Sequence, residues 1–167
     1  GALLGLILSP ALSLTTGSVQ AARPMITDDA RIVDAKACQL ESWVRHNRGS
    51  DEYWALPACN FSGNLEVALG ASHVRVPDGI STTATAFQGK TLFRQLETNG
   101  WSWGLAVGGM RHDGSTQPRI ANDYYAYLPA TFSLRDDRAF LHTILGWARD
   151  GKTGKQRATW GLGSEWQ

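Results

Sequence analysis

Sustained helical periodicity is missing after residue 36 of this chain of 167 residues, and net charge and cysteine are scarce. Each shortage excludes something. The formal net charge is +1, so no strong field for nucleic acid is implied and no nucleic-acid partner is expected. Charged residues are 19% of the chain, low for a soluble domain. The apolar run over residues 2–8 is far too short for a spanning helix. Two cysteines make no zinc site, and His46, His73, His112 and His142 are scattered without ligand spacing. No metal and no cofactor is therefore expected. No Gly-x-Ser-x-Gly elbow occurs, and the chain is read as non-enzymatic.

What is present is glycine and tryptophan, 18 and 7 residues, with only 6 prolines. That combination suits β-structure with exposed or interfacial aromatics. Both ends read as cut. Apolar residues 2–8, then Pro10, then small polar residues leading to Val19-Gln20-Ala21 have the order of a secretory signal that lacks its basic start. Residues 1–21 are thus expected to be a truncated signal peptide and 22–35 a periplasmic segment. Residues 36–167 are expected to be a β-barrel portion whose C-terminal strands are missing.

Alternation with period two recurs along the chain. Trp101, Trp103, Leu105 and Val107 alternate with Ser102, Gly104, Ala106 and Gly108. Leu65, Val67 and Leu69 alternate with Glu66, Ala68 and Gly70. The pattern predicts eight strands, at 36–46, 52–59, 64–75, 83–97, 101–111, 122–134, 139–149 and 157–167. Most exceed the usual five or six residues and match the roughly nine to eleven that a tilted membrane-crossing strand needs. The connections 47–51, 76–82, 112–121 and 150–156 read as longer than 60–63, 98–100 and 135–138, the alternation of an outer-membrane barrel. The fold class is therefore all-β, an antiparallel up-and-down transmembrane β-barrel. Aromatic girdles are expected at Trp101 and Trp103, at Tyr124, Tyr125 and Tyr127, and at Trp147.

An exported chain meets an oxidising compartment, so Cys38 and Cys59 can pair. If they bond across antiparallel strands, partner numbers sum to 97. Trp43 then lies opposite Trp54 and Arg45 opposite Glu52, an aromatic and an opposite-charge pair. Free buried thiols are the alternative. Pro57 strains the arrangement, because it cannot donate to a ladder. Parity gives Gln39, Glu41, Arg45, Glu66, Gln88, Arg94 and Glu165 as lumen candidates for binding. A register slip of one residue would reverse all of them.

One literal match points elsewhere. Residues Gly146, Gly151, Lys152 and Thr153 fit the spacing of a phosphate loop. Such a loop needs a helix at its lysine. Here Gly154 and a strand pattern follow, so a hairpin tip is expected.

The segment Ala22-Arg23-Pro24-Met25-Ile26-Thr27-Asp28-Asp29-Ala30, followed by Cys38-Gln39-Leu40-Glu41, resembles the exported proteins of the MetA-pathway of phenol degradation family. The likeness covers about twenty residues, and the cysteines depart from the family pattern. It implies an outer-membrane barrel admitting or binding small hydrophobic or aromatic organic solutes. Outer-membrane lipid, the solute and the barrel-assembly machinery would be its partners. A structural or adhesive barrel without a channel, and a soluble secreted barrel holding a ligand inside, are the alternatives.

Overall fold

Residues 28–77, 79, 81–113 and 121–167 are described in a computed structural model. The expected signal peptide, and the part of the family-like segment before Asp28, lie outside them. The described residues form eight strands and no helix: β1 (Ala37–Asn47), β2 (Ser50–Asn60), β3 (Glu66–Arg75), β4 (Thr82–Arg94), β5 (Trp101–His112), β6 (Asp123–Leu134), β7 (Ala139–Arg149) and β8 (Gln156–Trp166). Each pairs antiparallel with its sequence neighbour, in the order β1 to β8, as one curled up-and-down sheet. β1 and β8 do not pair with each other.

The first hairpin has the expected register. Cys38 faces Cys59 and the two are bonded. Trp43 stacks on Trp54 with ring centroids 5.4 Å apart, and Arg45 approaches Glu52 at 3.6 Å. Closing a loop of about twenty residues contributes roughly 3 kcal/mol in the chain-entropy view. Pro57 is not on an edge, since β2 lies between β1 and β3. Its missing N–H falls on the β3 side, where the ladder is interrupted between Ala55 and Ala58. Pro129 opens a similar gap between β5 and β6. Two ladders thus absorb a proline without a change of register.

The connections correct one expectation. The link between β1 and β2 is only Arg48-Gly49, with Gly49 at φ 88°, a two-residue hairpin turn. The link between β4 and β5 runs from 95 to 100, because β4 ends at Arg94. Long and short links therefore do not alternate strictly. At 135–138 three successive non-glycine residues, Arg135, Asp136 and Asp137, have positive φ. Each costs about 1–2 kcal/mol in the left-handed region. Asn99 exchanges two hydrogen bonds with Asp136, and Thr98 and Ser133 donate to Asp137. These bonds fasten turn 135–138 to the neighbouring link.

The two faces of the sheet differ sharply. Ser102 and Ala106 are fully buried, while Trp101, Trp103 and Val107, at positions of the opposite parity, are exposed. Following the pairing across all strands places mostly small and polar residues on the concave face, with Trp43, Trp54, Leu92 and Phe140 among the large exceptions, and most large apolar residues on the convex face. Trp160, Leu162, Leu69 and Leu145 are each more than half exposed.

Candidate functional site: the concave face and its N-terminal strap

Residues 28–36 form a strap against the concave face, near the end that carries links 61–65, 95–100 and 135–138. Ala30 is fully buried there, and its N–H donates to Thr131 Oγ1 of β6 at 2.8 Å. The Val33 N–H donates to Glu66 of β3 at 2.8 Å, and Asn60 of β2 donates to the Val33 carbonyl at 2.7 Å. Arg31 binds Glu165 of β8 at 2.8 Å and its neighbour Asp29 at 2.7 Å. Contacts to β2, β3, β6 and β8 by one short segment are what the curl of the sheet makes possible.

Lys90 of β4 sits beneath this strap with its side chain 6% exposed. A buried ammonium needs compensation. Its Nζ donates to both oxygens of Asp28 at 3.2 Å and to the Asp29 carbonyl at 3.3 Å. The Tyr127 hydroxyl donates to Asp28 as well. Gln88 Oε1 accepts from Tyr125 at 3.0 Å and lies 3.0 Å from the Tyr127 oxygen, whose single proton goes to Asp28, and the two rings stack 6.0 Å apart. Asp28 Oδ1 and Asp29 Oδ1 also accept the local N–H groups of Asp29 and Arg31. These local bonds cap a turn, and the bond to Lys90 adds a tertiary role.

His142 is fully buried on β7. Its Nδ1 lies 3.0 Å from Thr131 Oγ1. Its Nε2 is 3.5 Å from Glu165, within reach of charge attraction but without hydrogen-bond alignment. A second buried group, Ser102 Oγ, has no hydrogen-bond partner among the described residues.

Of the lumen candidates, Gln39, Glu41, Arg45, Glu66, Gln88 and Glu165 lie on the concave face. Gln39 and Glu41 are exposed and 3.3 Å apart. Glu66 and Glu165 are committed to the strap. Arg94 is a correction. Simple parity with Gln88 would turn it inward, but a bulge between Leu92 and Arg94 adds one residue to β4. Arg94 therefore pairs with Trp103 on the convex face, with its guanidinium 4.7 Å over the Trp101 ring. The aromatic girdles need correcting too. Tyr124 is convex, whereas Tyr125 and Tyr127 turn inward to Gln88. Among the strap's partners, Lys90, Tyr127, Thr131 and His142 were not among the sequence candidates. The inward parity that Lys90 shares with Gln88 was the available signal.

The phosphate-loop match resolves as a hairpin tip. β7 runs to Arg149, β8 begins at Gln156, and no helix starts at Lys152. Asp150 accepts the N–H groups of Lys152 and Thr153 at 2.8 Å, and these bonds hold its carboxyl below the usual range.

Residues 11–167 match the family described as uncharacterised conserved protein UCP029691. The chain belongs to this family. No curated protein and no solved structure matches it.

Proposed function

We propose that this family member is a non-enzymatic outer-membrane β-barrel that admits or binds small hydrophobic or aromatic organic solutes. One observation carries the membrane part. Once the two residues at each strand end are set aside, the convex face bears no Asp, Glu, Lys or Arg on any of the eight strands, while the concave face still holds Glu41, Arg45, Glu52 and Lys90. Charge on a lipid-facing strand is costly, and a lumen tolerates it. A soluble barrel would show the reverse.

The dimensions suit a bilayer. Convex aromatics lie near both ends of the strands, at Phe93, Trp101, Trp103, Phe132 and Trp166 and again at Tyr53, Tyr124 and Trp147. From Tyr124 to Phe132 the strand advances roughly 27 Å, or about 20 Å once tilted, near the apolar band of about 25 Å expected of such barrels. Export by a cleaved signal peptide over 1–21, and insertion by the barrel-assembly machinery, belong to the same reading. The local likeness at residues 22–30 adds transport of small organic compounds to it. The strap narrows the concave side, which favours the structural-barrel alternative only if it never moves.

Fractionation of the expressed protein tests the proposal. Recovery in the outer membrane, with faster gel migration when unboiled than boiled, is expected. A soluble periplasmic product without that shift would overturn it.

A further inference from the structure

We infer that Lys90, Tyr127 and the stacked Tyr125 form a site for small aromatic carboxylates, and that the Asp28 side chain occupies it as an internal stand-in. The inference rests on the solute-binding reading above and names its solute class. The Asp28 carboxylate takes both oxygens to the Lys90 ammonium at 3.2 Å and receives the Tyr127 hydroxyl. Charge-assisted donors converging on one carboxylate are a carboxylate-binding site whatever molecule supplies that group. Lys90 is enclosed, so the pairing acts where water screens it little.

The neighbouring surface is aromatic. Tyr125 and Tyr127 are stacked 6.0 Å apart, with Gln88 accepting from the Tyr125 hydroxyl. Tyr125 lies over Gly108, where a Cβ would come within 2.4 Å of its ring, so the glycine makes the room that the tyrosine fills. A benzene ring can stack edge or face against such a pair.

Exchange needs only Asp28 to leave. The other strap anchors, Ala30 on Thr131, Arg31 on Glu165 and Val33 on Glu66, do not involve it. Glu66, opposite Lys90 in the ladder, keeps its carboxylate on the Val33 N–H and does not take the vacated place. The solute's carboxylate then replaces that of Asp28 on Lys90 and Tyr127. The incoming and outgoing groups carry the same charge, so the buried ammonium is never left unpaired.

The test is calorimetric titration of the full-length protein in detergent with benzoate, and with benzyl alcohol as the uncharged control. Removing the internal competitor by Asp28→Ala should tighten benzoate binding by about tenfold or more and leave benzyl alcohol unchanged. Adding Tyr127→Phe should reverse much of that gain. If Asp28→Ala loses the heat-dependent gel shift, Asp28→Asn preserves the side-chain shape and should still give a severalfold gain. Benzoate and benzyl alcohol responding alike in every variant would overturn the carboxylate site. Benzoate binding that follows these variants in a protein absent from the outer membrane would keep the site and sink the membrane reading.

Discussion

Single residues carry two kinds of job in this molecule. Lys90 and Asp28 satisfy each other across 62 positions of sequence, and Arg31 reaches Glu165 across 134. Separations of that size are why the strap was not legible beforehand. Asp28 and Asp29 look like turn residues, and locally they are. Asp137 is the other kind, a carboxylate that holds a turn in an unfavourable backbone shape. Hydrogen bonds from Ser133 and Thr98 hold its carboxyl below the ordinary value of 3.8. A depressed carboxylate contributes stability that is present above its unfolded value and is lost as pH falls through its folded one. The gel-shift temperature of the wild type should therefore drop as pH falls below about 4, and that of Asp137→Asn should drop less. Equal drops would remove Asp137 from the account.

At the scale of elements, the strands were largely legible, because period-two alternation maps directly onto the two faces of a sheet. β7 was expected at 139–149 and is Ala139–Arg149. The hairpin of β1 and β2 followed from one assumption, that two cysteines face each other. What alternation could not reveal was any event that changes parity. The bulge after Leu92 turned Arg94 outward, and the tightness of Arg48-Gly49 removed an expected loop. Alternation also left both faces unlabelled until burial separated them. Leu128 on β6 lies mid-strand on the convex face and Thr159 on β8 lies on the concave one. In a bilayer Leu128→Arg should cost roughly 2–4 kcal/mol, and Thr159→Arg less than about 1 kcal/mol, by urea unfolding of the reconstituted protein. The opposite order would mean that the convex face meets water.

The described residues form a curled sheet with its mid-strand charge inside and most of its large apolar residues outside, the inverse of an ordinary soluble domain. That inversion, more than strand length, separates a membrane barrel from a soluble ligand carrier. It also makes the seven tryptophans natural probes. Trp101, Trp103, Trp147, Trp160 and Trp166 are convex, and Trp43 and Trp54 are stacked on the concave side. The most direct measurement is tryptophan quenching in vesicles, by lipids brominated along the acyl chain and by aqueous iodide. The account predicts that brominated lipids quench most of the emission, that iodide quenches little, and that the loss of Trp160 lowers the lipid-quenched fraction. Emission quenched by iodide and untouched by brominated lipids would contradict it.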